Sequence, residues 1–231
     1  MPTDNQQGLK DYYACALGAG MKFSTAWFHQ FQLSCSGSAV LNIGGSSLYT
    51  PAMVTEQVSR YESGLFNIAK ASGKYRLLRM DELYLSYRNQ HVLIHVGRQF
   101  IQTPFINKQD GRMNATAVEG LRTEWNMISK TRIQHSWFVG ISPRSTDHWF
   151  SPGNSIGIYP SGINPDGTKS QYGKNINSNT VLLANISRSV GKYTTVRLWD
   201  VFAANVLNVL MFQADAGIPL KRKNAIGLGM Q

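Results

Sequence analysis

The sequence predicts an all-β protein, a transmembrane antiparallel up-and-down β-barrel, on three observations. The first is alternation. In "FQLSCSGSAVLNI" the odd positions Phe31, Leu33, Cys35, Gly37, Ala39, Leu41 and Ile43 are apolar or bare, while the even ones, Gln32, Ser34, Ser36, Ser38 and Asn42, are polar, with Val40 the exception. A period of two marks a β-strand with one apolar face. The second is length, because this run covers about 13 residues against the usual five or six, and strands of about 11 residues tilted by roughly 45° span a bilayer. The third is the connections. Short ones near Trp27, Asn89, Ser129 and Gly191 alternate with long ones at 44–77, 102–117 and 142–179. In an up-and-down sheet this sets tight turns at one end and long loops at the other.

Ten strands are expected, at about 12–25, 30–43, 78–88, 91–101, 118–128, 131–141, 180–190, 193–202 and 207–216, with one starting near 224. The alternation recurs along them. In the third, Leu83, Leu85 and Tyr87 oppose Glu82, Tyr84, Ser86 and Arg88; in the fourth, Val92, Ile94 and Val96 oppose His91, His95, Gly97 and Gln99. The fifth sets Leu121, Trp125 and Met127 against Gly120, Arg122, Glu124 and Asn126. The sixth sets Ile133, Trp137, Val139 and Ile141 against Arg132, Gln134, Ser136 and Gly140. Thr123, His135, Leu93 and Phe138 interrupt the pattern. The apolar face is expected to touch lipid and the polar face to line a wet lumen, with Tyr87, Trp125 and Trp137 as interfacial aromatic residues. The connections near Ala203 and at "IPLKRKN" are both short, which weakens the alternation of loop lengths there.

Composition agrees with strands and narrows the function. Apolar residues make up 42% and charged residues only 16% of the 231, and the abundance of Gly, Ser, Asn and Tyr suits strands and turns. The most apolar run, "VFAANVLNVLMF", is too short for a membrane helix and is interrupted by two Asn. A net charge of +10 draws anions, but the basic residues are scattered apart from "KRK" at Lys221 to Lys223, so no compact nucleic-acid patch forms. Two cysteines, Cys15 and Cys35, provide neither a disulfide framework nor a thiolate metal site. The opening "MPTDNQQGLKD" lacks the blocks of a secretory signal.

The stretch "MDELYLSY" followed by "HVGRQFIQTPFINKQDGRMNATAVEG" resembles the OprD-type outer-membrane porins, in a Bacteroidetes-like form. The shared elements are Glu82, Leu83 and Tyr84, then Gly97, Arg98 and Gln99, then Pro104, Asp110, Arg112 and Gly120; "GISPRS", "SIGIYPSGINPDGT", the "WD" at Trp199 and the "QAD" at Gln213 continue the likeness. The resemblance implies one barrel of about 18 strands, a pore narrowed by an inward loop, and a basic ladder on one wall. It implies a passive channel for small, anionic or carboxylate-bearing solutes, in the outer membrane, with lipid and solute as partners and no cofactor; it leaves homo-oligomerisation open. The loop at 102–117 stands where the constriction would be, with Asp110 and Arg112 in it, and Arg98, Arg122 and Arg132 are the ladder candidates. Arg98 shares the parity of the lipid-side residues of its strand. With ten strands and a final "AIGLGMQ" that reads as a strand cut short, residues 1–231 are expected to be one incomplete barrel domain, the N-terminal part of a porin.

Residues suggestive of catalysis have simpler readings. "GNSIG" at Gly153 to Gly157 fits the nucleophile-elbow pattern, but that pattern needs a strand before it and a helix after it, and Ser155 lies in a proline-rich loop. His91 and His95 on one strand stand about 13 Å apart at 3.3 Å per residue, too far to share an ion. "NPDG" at Asn164 to Gly167 is turn chemistry. No enzyme is expected. The rival to a channel is a secreted β-sandwich that binds a ligand or carbohydrate, suggested by the Tyr and Trp content and the long loops.

Overall fold

The computed structural model describes residues 12–48, 62–67, 76–106, 108, 113–127, 130–156, 158, 176–219 and 225–230. They form ten strands: β1 (Ala14–Ser24), β2 (Phe31–Gly45), β3 (Arg76–Arg88), β4 (Val92–Gln99), β5 (Ala117–Met127), β6 (Thr131–Ser142), β7 (Val181–Val190), β8 (Thr194–Ala203), β9 (Leu207–Pro219) and β10 (Ala225–Met230). One sheet holds all ten in sequence order, and every strand is antiparallel to the next. The expected strands are thus all present, within a few residues at each end.

Topology follows from the connections. A three-residue turn can only return the chain beside the strand it left, and the turns at 89–91, 191–193 and 204–206 do so. Gly191 (φ 72°), Asn205 (φ 60°) and Lys130 (φ 73°) supply the left-handed backbone that such turns require. Three long connections, 46–75, 100–116 and 143–180, lie at the opposite end of the sheet from the turns at 25–30, 89–91 and 191–193. The 204–206 turn shares the long-loop end.

The two faces differ as the alternation requires. Leu17, Met21, Phe23, Leu33, Leu41, Leu85, Trp137, Ile186, Phe202 and Leu210 are exposed on one. A sandwich would cover such a face with a second sheet; among the described residues there is one sheet, and this face is bare. No described helix is long and apolar enough to cross a membrane. The expected interfacial aromatics stand on this face: Trp137 donates from Nε1 to Thr180 Oγ1 (2.6 Å) near the long-loop end, while Tyr87 packs on Phe31 (ring centroids 5.2 Å apart) near the turns.

Bulges explain where the alternation fails. Ser36 pairs with Glu82 but Gly37 pairs with Met80, so Asp81 is an extra residue in β3. Leu77, Arg79 and Asp81 are buried before it, and Glu82 and Ser86 after it. Parity reverses at the bulge. A second bulge makes Val139 the unopposed residue of β6, between the pairs Gly120–Phe138 and Glu119–Gly140. Of the four interruptions, Leu93 and Phe138 share the polar face with Glu124 and Gly120, whereas Thr123 and His135 are paired on the apolar face.

The core lies on the polar face, under the long connections. Ile101 joins Val118, Phe138, Val181, Leu183, Trp199, Val201 and Ala203 in one buried cluster, with Ile106 packed against it. Val40, Leu48, Phe66 and Leu77 form a second cluster. These buried apolar residues of the polar face therefore lie where a connection covers it.

Candidate functional site

Beside the buried Arg79–Asp81 pair, polar and charged side chains of the described residues meet on the polar face at four places. On β1 and β3, Lys22 Nζ donates to Glu82 Oε2 (2.8 Å) and to Tyr84 Oη (3.2 Å), and Ser36 Oγ adds a bond to the same carboxylate (3.0 Å). On β4, His95 Nδ1 lies 2.9 Å from Ser86 Oγ, and its ring meets Tyr84 edge-on at 5.1 Å. His91, exposed near the turn, is not brought to it, and the described residues contain no group of three metal-binding side chains.

The third place gathers two of the sequence candidates. Arg122 and Glu124 of β5 are two residues apart and so share a face; Arg122 Nη2 bonds the Glu124 carboxylate. Arg132 of β6 reaches the same carboxylate at 4.0 Å and donates from Nε to Asn126 Oδ1 (3.3 Å). One carboxylate thus serves two guanidiniums. Arg132 also lines a recess of about 400 Å³ at the turn end of β5 to β8, where Lys130, Arg188 and Arg197 are the other charged residues and no carboxylate lines the wall. At its edge is the fourth place, where Arg197 pairs with Asp215.

The remaining candidates lie elsewhere. Asp110 and Arg112 fall outside the described residues. Arg98 faces away from Arg122 and Arg132, as its parity with Val96 requires: it pairs across strands with Leu83 and Glu119 on the apolar face. There its Nε meets Glu119 Oε2 at 3.1 Å, and its guanidinium stacks 4.7 Å from the Trp149 ring centroid. The missing Cβ of Gly140 leaves room for them, since a Cβ there would lie 3.1 Å from Glu119 Cβ and 3.7 Å from Trp149 Cε3. Such an amphipathic row suits a membrane–water boundary.

The described part of the 102–117 loop runs over the polar face. Ile101 and Ile106 pack on the wall cluster, Phe105 lies 6.5 Å from Trp199 edge to face, and Asn114 Nδ2 donates to Ser38 Oγ of β2 (3.0 Å). Sequence reasoning missed Lys22, Arg197 and Arg79. Lys22 and Arg197 were readable from parity alone, as each is flanked by apolar residues in an alternating strand. Ser155 ends the four-residue helix α1 (Pro152–Ser155) and bonds the Pro152 carbonyl (2.7 Å).

No protein-family model and no curated protein matches this chain. Solved structures do. OccAB1 of Acinetobacter baumannii superposes with a TM-score of 0.68 at 12% identity, over 96% of this chain and 46% of its own. The outer membrane protein OpdK of Pseudomonas aeruginosa gives 0.65 at 14%, over 90% and 47%. OpdK crystallised with vanillate gives 0.62 at 13%, over 90% and 48%. All are OprD/Occ porins. The chain has the fold of such a β-barrel and spans about half the length of these structures.

Proposed function

We propose that this chain supplies part of an outer-membrane porin of the OprD/Occ type, a passive diffusion channel for small solutes. The observation that carries it is the bare apolar face along ten strands opposite a charged, loop-covered face; lipid accepts the first and a water-filled lumen the second. The likeness to about half of each OprD/Occ barrel supports a whole of about 18 strands, with residues 1–231 as one incomplete domain. The outer membrane is its location, lipid and solute are its partners, and no covalent chemistry is required.

Selectivity for anions is the finer part of the proposal. Arg122 and Arg132 share one carboxylate, and the recess at Arg132 adds Lys130 and Arg197. Cations grouped in a narrow lumen concentrate anions and hold them weakly enough for release. Vanillate, a carboxylate, accompanies OpdK in its crystals, which supports carboxylate-bearing solutes. Asp110, Arg112 and the 102–117 loop form the constriction in this proposal; Arg98, on the other face, is not on the path.

Reversal potentials of the full-length protein in a salt gradient test it. Wild type is expected to prefer anions, less so as the Debye length falls from about 10 Å at 0.1 M to 3 Å at 1 M, and the Arg112→Gln/Arg122→Gln/Arg132→Gln variant to lose the preference. Cation preference in wild type, or an unchanged potential in the variant, would make these arginines structural charges.

A further inference from the structure

The bulge in β3 turns two adjacent carboxylates, Asp81 and Glu82, to the polar face, and each leads to one end of the connection between β4 and β5. Glu82 Oε1 accepts from the Phe100 backbone N–H (3.4 Å), where the loop leaves β4. Asp81 acts through Arg79, whose Nε donates to Asp81 Oδ1 at 2.8 Å. Arg79 Nη2 then bonds the Asn114 side chain and the Ala115 carbonyl, where the loop returns to β5. Its Nη1 reaches Ser142 Oγ (3.1 Å) and the Ser142 and Pro143 carbonyls (both 3.4 Å), at the start of the next long connection. The side chain is fully buried, at 0% exposure. That connection is tied in turn to the 46–75 connection, since Ser145 Oγ bonds the Gly64 carbonyl.

An arginine has five N–H donors in one plane, and here all three nitrogens are engaged, by three separate segments. A lysine could not hold that fork. A buried guanidinium with every donor satisfied has one low-energy geometry, because displacing any partner leaves a desolvated charge underbonded. The segments it binds are therefore fixed relative to the wall.

We propose that Arg79 is the positioning residue that sets the width of the passage, by locking the 100–116 connection and the start of the 143–180 connection to the β3 bulge. This rests on the porin reading above. It goes beyond that reading in placing control of solute size at a residue that touches no solute, separate from the arginines proposed to select charge.

The test uses the full-length barrel in planar bilayers and liposomes, with wild type, Arg79→Met and Asn114→Ala compared. Single-channel conductance and the size cut-off for neutral polyethylene glycols are expected to rise in both variants. Anion preference should remain, since the wall residues Arg122 and Arg132 are untouched, and heat-modifiable folding should persist in Asn114→Ala, which removes the side-chain ties of the loop to Arg79 and Ser38 without unpairing Asp81. Wild-type conductance and cut-off in both variants would overturn the proposal. If Arg79→Met does not assemble, Asn114→Ala alone decides, and its wild-type cut-off would overturn it. A wild-type protein that does not conduct would refute the porin reading instead.

Discussion

At the scale of the residue, the face decides what a substitution does. Leu33 and Leu41 are 48% and 53% exposed on the apolar face, so Leu41→Arg in the full barrel is expected to cost about 2–4 kcal/mol near the midplane. Ser36→Ala and Ser38→Ala lose only a hydrogen bond each, to Glu82 and from Asn114, about 1 kcal/mol apiece. Urea titration of barrels refolded in lipid should give that order, and serine variants more damaging than the leucine ones would reverse the assignment of the faces. Asp200 provides the converse case. It stands on the apolar face between Leu198 and Phe202, opposite Leu210, and makes no hydrogen bond or ion pair among the described residues. Asp200→Leu should raise stability in the same titration, by about 1 kcal/mol; a lower unfolding midpoint would show that the carboxylate has a partner in the membrane. Arg122 and Arg132 could be assigned to the polar face from parity, and so could the outward direction of Arg98. Arg79 could not. It lies upstream of the bulge, where counting from Glu82 puts it on the wrong face.

At the scale of the element, period two made the ten strands and the ends of their connections legible in the sequence, because each strand needs only its own alternation and its nearest neighbour. Two-against-one pairing leaves no periodic signal, so the bulges at Asp81 and Val139 were not legible, nor was the burial of Phe138 under the loop that begins at Ile101. Deleting Asp81 should remove the bulge and leave Arg79 on the polar face and Leu78 and Met80 on the apolar one, since Met80 and Glu82 then alternate without a break, but it takes away the carboxylate that Arg79 Nε holds. A weakened heat-modifiable band on electrophoresis is the expected outcome, because the buried guanidinium is left without its counter-charge; a normal band would mean that the loop partners of Arg79 hold it without Asp81. Gly97 is a second constraint on β3, from its other neighbour β4. At φ 123° a Cβ would approach the Leu83 carbonyl oxygen to 2.3 Å, so Gly97→Ala should exceed the ordinary penalty of about 1 kcal/mol for a point change. A refolding yield equal to wild type would argue that β3 and β4 can part locally.

At the scale of the whole molecule, the charge pattern and the loop pattern are separable, and the +10 net charge did not by itself distinguish them. Among the described residues, the recess lined by Lys130, Arg132 and Arg197 lies at the turn end, whereas the ties among the long connections lie at the other end. Raising salt should therefore diminish selectivity while leaving the size cut-off in place, a separation readable from reversal potentials and liposome swelling on one preparation. The connection between β8 and β9 is only the turn at 204–206, although it shares its end of the sheet with three long connections. Among the described strands the wall is consequently lowest there. Under the porin proposal, a large object meeting this end of the sheet would touch the β2 to β7 arc first and a small solute would pass most easily over the β8–β9 sill, so substitutions can accumulate on one arc without narrowing the other.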